Sequence, residues 1–202
     1  MENNKIFHVL GNGDFSREFV SFADFDEKLV KYYSKDEVYK LDFSEFKNNP
    51  NSKVYIAIGN VIYRKKIYDY IKSNGLMPNT FIHPSVLVGK RTSIGVGCII
   101  QPNTIISNDV NIKNSVLINC NSNIGHDVVV GNHSSIMTNV NLGGHVKLDN
   151  EVFIGTGSTL IPSVKVKSNV TIGAGSIVVN DLKEPGSYFG NPAKLFFTKK
   201  MH

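Results

Sequence analysis

Tryptophan is absent from these 202 residues, and cysteine occurs only twice. No apolar run approaches the ~18 residues of a membrane-spanning helix, and the opening Met1-Glu2-Asn3-Asn4-Lys5 lacks a signal-peptide pattern, so the chain reads as soluble and cytoplasmic. Cys98 and Cys120 give neither a disulfide framework nor a metal-ligand spacing, and no metal is expected. A large excess of either charge is lacking as well. The 22 basic and 17 acidic residues leave +5 with no long basic run, which argues against a nucleic-acid duplex and fits a small polyanion such as a nucleotide.

What the chain does have is a period. From Ile82 to Val178 an aliphatic residue recurs at every sixth position, through Val88, Ile94, Ile100 and onward. A second small or branched residue follows most of them by four, as at Cys98, Thr104, Val110, Val116 and Ser122. A helix needs a period near 3.6 and a plain strand a period of 2, so a strict six implies a parallel β-helix of hexapeptide repeats. Three hexads make one coil of a triangular prism, which places residues 18 apart above one another at ~4.8 Å. The sixteen hexads from Val88 then give about five coils. Gly95, Gly125, Gly131, Gly143, Gly155 and Gly173 each follow an inward aliphatic and suit corners that demand unusual φ.

Residues 1–80 follow another pattern. Lys5 to Leu10 and Val54 to Gly59 read as buried strands, each leading through a glycine turn into a helical stretch, Ser16 to Phe22 and Val61 to Ser73. That alternation predicts a small α/β, Rossmann-like layer. Glycine turns at the carboxyl ends of parallel strands bind phosphates through backbone N–H groups and helix N-termini. Gly11, Asn12, Gly13 and Asp14 form the first turn, equally that of an ordinary βα connection. Gly59, Asn60 and Arg64, with Lys65 and Lys66, form the second; a solvated helix face is the alternative for its cations, but two such turns in one small sheet favour a nucleotide or sugar-phosphate site. Three segments are expected: the α/β domain to residue 80, the β-helix over 81–181, and a turn-rich tail over 182–202 packed on the last coil.

Ile56-Ala57-Ile58-Gly59-Asn60, Ile82-His83, Asn123-Ile124-Gly125-His126-Asp127, Phe153-Ile154-Gly155-Thr156-Gly157, Ile172-Gly173-Ala174-Gly175 and Gly190-Asn191-Pro192-Ala193-Lys194 together resemble the PglD/NeuD-type bacterial sugar acetyltransferases. The resemblance spans nearly the whole chain, and the His-Asp pair within unbroken hexads is its specific part. It implies a left-handed coil, acetyl-CoA as co-substrate, and a UDP- or dTDP-linked 4-amino-4,6-dideoxy hexose as acceptor for surface glycan. It also implies a homotrimer with sites between subunits, for which outward Ile99, Leu117 and Val129 offer apolar contacts. Asn119 matches a residue near the acceptor sugar. Ser135 stands where the family has a second active-site histidine, and Phe15 stands where it has a histidine in the first glycine turn. O-acetylation of a sialic acid or another sugar is the alternative within the class. A non-catalytic scaffold or nucleotide-sugar-binding protein is the alternative outside it.

Acetyl transfer from a thioester needs a base for the attacking group and a donor for the developing oxyanion. His126 is the candidate base and Asp127 its orienting carboxylate. One coil above them stand Gly144 and His145, beside Gly143. The glycines leave bare surface for a slender thioester arm, and His145 is placed for a second contact with Asp127. Gly143, Gly144, His145, Gly155, Thr156, Gly173 and Ala174 are expected along the coenzyme, with Lys165, Lys167 and Lys194 near its phosphates or simply solvated. His83 reads as structural.

Overall fold

The computed structural model describes residues 5–198; the expected tail's residues 199–202 lie outside them. Three parallel strands come first, β1 (Ile6–Leu10), β2 (Val30–Tyr33) and β3 (Ser52–Ile56), in the order β2-β1-β3. Helix α1 (Asp14–Phe22) follows β1, short α2 (Lys35–Val38) and α3 (Ser44–Lys47) follow β2, and α4 (Val61–Ser73) follows β3.

From Phe81 the chain winds into a parallel β-solenoid of about six turns, whose two-residue strands stack on three faces. The first face runs from Phe81–Ile82 up to Val170–Ile172, the second from Leu87–Val88 up to Ile177–Val178, and the third from Ser93–Ile94 up to Lys165–Val166. Register follows the 18-residue coil throughout, as in Leu117 beside Ser135 and Asn123 beside Asn141.

Every sixth residue from Ile100 to Val178 is buried in one core, and so is every member of the companion series from Cys98 to Ser176. Serine and threonine are tolerated inside because their hydroxyls are satisfied. Thr104, Ser122, Ser134 and Ser158 each donate to a carbonyl 15 residues on, and Ser122 and Ser134 accept from the amide 18 residues on. A buried hydroxyl bonded in this way escapes the desolvation cost that an unpaired one would carry. Only the lowest coil is open, where Ile82 and Val88 remain 38% and 46% exposed. At the other end Leu182 and Tyr188 close the core, and Gly186–Phe189 adds a strand to the first face before turning back antiparallel as Lys194–Thr198.

The expectation about glycine and φ needs correction. Gly95, Gly125, Gly131, Gly143, Gly155 and Gly173 do not have positive φ. The left-handed residues fall two places later, at six-residue spacing from Arg91 to Gly175, with φ between 55° and 71°. Twelve of these fifteen are not glycine; Asn103, Asp109, Asp127, His133 and His145 are among them. The glycines answer a different demand, which is close approach. A Cβ on Gly125 would meet Gly144 N at 2.7 Å, and one on Gly155 would meet Ala174 N at 2.5 Å.

The α/β layer lies on the first face. Val9, Phe19, Val20, Tyr55 and Ala57 share a cluster with Ile99 and Leu117, with Phe15, Phe81 and Met137 packed against it. Ile99 and Leu117 are therefore 2% exposed, not available to a subunit neighbour as expected. The uncovered apolar face is the second, where Leu87 and Ile105 are 65% and 47% exposed.

Within the layer, His8 lies between Tyr33 Oη at 3.0 Å and Ser52 Oγ at 3.3 Å, against the edge of Phe46. Burial, with Lys31 nearby, pushes its pKa down to about 4. The unfolded chain protonates this imidazole near its ordinary 6.5 and the fold resists doing so, so between the two values only the unfolded state binds the proton. This contribution to stability is complete above pH 6.5 and is lost as pH falls toward 4. Urea midpoints for wild type and His8→Gln are expected to differ in slope across that window and to run parallel above it. Parallel curves throughout would refute the assignment.

Candidate active site

His126 follows the second-face strand Asn123–Ile124 and begins the corner leading to the third face, the edge opposite the α/β layer. Its Nδ1 lies 2.8 Å from Asp127 Oδ2. Asp127 occupies a left-handed corner position with φ 60°, and its amide donates to Asn108 O, so the backbone that carries the carboxylate is fixed by the coil below. A carboxylate at this distance accepts from Nδ1–H, which leaves the free lone pair on Nε2. In the coil above, His145 stands edge-to-face with His126 at 5.0 Å between centroids, with its Nδ1 4.0 Å from Asp127 Oδ2. The three side chains are about half exposed.

Gly144 is buried beneath the His126 ring. A Cβ there would lie 2.6 Å from Nε2. The bare surface over Gly144 is thus taken by the imidazole itself and is not left for a thioester arm. Room lies instead on the second face, in a groove of ≈ 460 Å³ lined by Ile105, Ser107, Asn123, Gly125, Asn141, Gly143, Thr159 and Pro162 among others.

The remaining coenzyme candidates divide between edges. Thr156 and Ala174 are exposed at the corner between the first and second faces, while Gly143, Gly144 and His145 occupy the His126 corner. The second face separates the two groups, so one chain does not bring them together. Gly155 and Gly173 are buried, the former under the next coil and the latter under Phe189, whose ring fills the place a Cβ would take. Lys194 is exposed on the terminal hairpin, Lys165 is exposed on the third face, and Lys167 lies 3.5 Å from Asp149.

Arg64 was expected to reach a phosphate and does not. It is 2% exposed, and its guanidinium donates to Ser115 O, Ile58 O, Gly59 O, His133 O, Ser134 O and Ser135 Oγ at 2.7 to 3.1 Å. Lys65 also turns to the solenoid, pairing with Glu151 at 2.6 Å. Asn60 caps α4 by accepting from Tyr63 N, which satisfies that helix terminus internally. The α1 terminus differs. Gly13 caps it without a side-chain bond, and the exposed Asp14 in its first turn pairs with Arg17.

Gly11, with φ 132°, is required by packing, since a Cβ would meet Ala57 O at 2.5 Å. Gly13 and Gly59 face open space at the carboxyl ends of β1 and β3, and Asn12 is exposed beside them. Asn119, at the foot of the α/β layer, directs Nδ2 to Met137 Sδ and leaves Oδ1 without a partner.

Ser135 is buried under Arg64 and cannot serve a thioester carbonyl in this chain. His133 is buried against Tyr68, and desolvation lowers its pKa. Cys98 is in the core, its thiol pushed up to about 11. Sequence reasoning missed Gln101, 1% exposed with Nε2 unpartnered and one coil below Asn119. Its one available signal is a long polar side chain where other coils place glycine.

No protein-family model and no curated protein matches the sequence. Solved structures do. The acetyltransferase domain of PglB from Neisseria gonorrhoeae FA1090 superposes with a TM-score of 0.85 at 22% identity, covering 96% of this chain and 100% of that one, and the same domain has been solved with acetyl coenzyme A. WeeI from Acinetobacter baumannii AYE gives 0.82 at 19% identity over 95% of this chain and 100% of its own. PerB from Caulobacter crescentus, in complex with CoA and GDP-perosamine, gives 0.77 at 22% identity over 95% and 97%. These likenesses establish a shared fold across nearly the whole length.

Proposed function

We propose that this chain is an acetyl-CoA-dependent N-acetyltransferase acting on a nucleotide-linked amino sugar in the cytoplasm. The observation that carries this reading is the His126-Asp127 pair, joined at 2.8 Å beside an open groove, in a fold shared with PglB's acetyltransferase domain and with PerB. The acceptor amine attacks the thioester carbonyl, the new C–N bond forms as the C–S bond breaks, and His126 Nε2 removes the amine proton while Asp127 holds Nδ1–H. The departing thiolate takes up a proton as CoA. No metal takes part in these steps.

The acceptor nucleotide is assigned to residues 1–80, at the open ends of β1 and β3, because Gly13 and Gly59 leave room there and the α1 terminus lacks a side-chain cap. Asn119, with a free Oδ1, is assigned to the sugar. The acetyl group is assigned to the solenoid over 81–181, with residues 182–198 closing its last coil. GDP-perosamine bound to PerB adds a guanine nucleotide to the UDP and dTDP candidates.

The same geometry supports an assembly. The α/β layer covers the first face and His126 stands on the opposite edge, which favours a second copy bringing the acceptor to the base. The second face carries exposed Leu87 and Ile105 and no charge among its outward strand residues, whereas the third carries Lys147 and Lys165. A homotrimer packed through the second face, of about three times the 22.4 kDa chain, fits both facts.

The test is release of CoA from acetyl-CoA with a panel of GDP-, UDP- and dTDP-4-amino-4,6-dideoxy hexoses, alongside light scattering. Turnover with one of them by a trimer is expected. A folded protein that binds the panel without turnover would instead be a nucleotide-sugar-binding scaffold.

A further inference from the structure

His126, Asp127 and His145 place two imidazoles and a carboxylate so that one ligand atom from each lies within 4.8 Å of the others, the one such group among the described residues. Their backbone is preset. Asp127 and His145 occupy stacked left-handed corners with φ of 60° and 61°, and the amides of both donate to the coil below, Asp127 N to Asn108 O and His145 N to His126 O. The two rings meet edge-to-face at 89°. Catalysis as proposed uses two of these groups. It leaves His145 without a reason to stand 4.0 Å from the same carboxylate oxygen.

We propose that these three side chains form an inhibitory site for a borderline transition-metal ion such as Zn²⁺. Two imidazole nitrogens and one carboxylate oxygen suit zinc, cobalt or nickel, and they suit magnesium or calcium poorly, since those ions prefer an all-oxygen shell. The ion enters between His126 Nδ1, Asp127 Oδ2 and His145 Nδ1, and water completes its coordination. In the ion-free site Asp127 holds the proton on Nδ1, which keeps the lone pair of Nε2 available. A metal on Nδ1 takes that lone pair and displaces the proton, so the neutral ring carries its proton on Nε2. Nε2–H cannot accept a proton from the acceptor amine. One ion thus switches off the base by changing its tautomer, without occupying the substrate groove.

The inhibitory half of this inference rests on the base assignment made above; the binding half does not, and the experiment separates them. Cobalt is titrated into the full chain without substrates, and the visible absorption of four- or five-coordinate Co²⁺ is read. One ion per chain is expected, displaced by Zn²⁺ and not by Mg²⁺. His145→Ala and Asp127→Asn are each expected to weaken binding by more than the roughly tenfold that loss of even an outer-shell partner costs. Asparagine is at home in a left-handed corner, so the second variant retains the fold. Zn²⁺ at the concentration that displaces cobalt is expected to abolish acetyl transfer, and a chelator to restore it. Absence of the cobalt spectrum, or equal binding in both variants, overturns the site. Saturation with Zn²⁺ at undiminished turnover overturns the switch.

Discussion

Arg64→Ala is expected to lower the stability of the fold by about 4 kcal/mol, at the upper end of what single substitutions do. The guanidinium is 2% exposed, forms no ion pair among the described residues, and is held by five carbonyls and a hydroxyl drawn from the β3–α4 turn and from two coils of the solenoid. Burial lowers its pKa only to about 10, so the group is charged at neutral pH. Alanine leaves those acceptors facing a cavity, and each orphaned carbonyl costs about 1–3 kcal/mol unless water reaches it. Lysine does not rescue. Its three donors radiate from one nitrogen, whereas Arg64 spreads its donors over a planar fork that reaches Ser115 on one side and Ser135 on the other. The reading is urea unfolding of wild type, Arg64→Ala and Arg64→Lys. A loss below about 1 kcal/mol for alanine would mean that the α/β layer is held to the solenoid mainly by the apolar cluster around Phe19 and Leu117.

That residue also marks where the sequence stops being legible. Arg64-Lys65-Lys66 at the start of a helix reads as a cationic cluster, for a ligand or for solvent. Nothing local reveals that Ser115 and Ser135, 51 and 71 residues on, will close around the first of them. The solenoid, in contrast, is written in its period, because an inward position tolerates only aliphatic or small side chains and six is the spacing of inward positions. Corner conformation is hidden for the opposite reason. Left-handed φ is imposed by the coil and accepted by asparagine, aspartate, histidine and serine alike, while the glycines that draw the eye serve close stacking. The His126-Asp127 contact was readable from adjacency and corner placement. Its separation from Thr156 and Ala174 was implicit in the 18-residue count but not drawn from it, and the choice of which face the α/β layer covers depends on the packing of Phe19, Tyr55 and Phe81, which no spacing reveals.

His126→Ala is expected to lower kcat by roughly 10²–10⁴, the usual contribution of a positioned acid-base group, with little change in the affinity for either substrate. The side chain is about half exposed and packs over the buried Gly144, so its removal opens a shallow surface hollow and leaves the core intact. Asp127→Asn should cost less, because the ring stays in place and loses only the charge that holds Nδ1–H. An amine acceptor complicates a single-pH comparison, since a sugar ammonium can lose its proton to water before attack. The pH profile resolves this. Wild-type turnover should fall toward acidic pH as the base is lost, whereas the alanine variant should follow the ionisation of the acceptor amine. His145→Ala leaves the Nδ1 contact between His126 and Asp127 in place and should retain the wild-type form of the profile. If His126→Ala turns over at the wild-type rate near neutrality with an unchanged profile, the base assignment fails, and the rate must come from holding amine and thioester together between subunits.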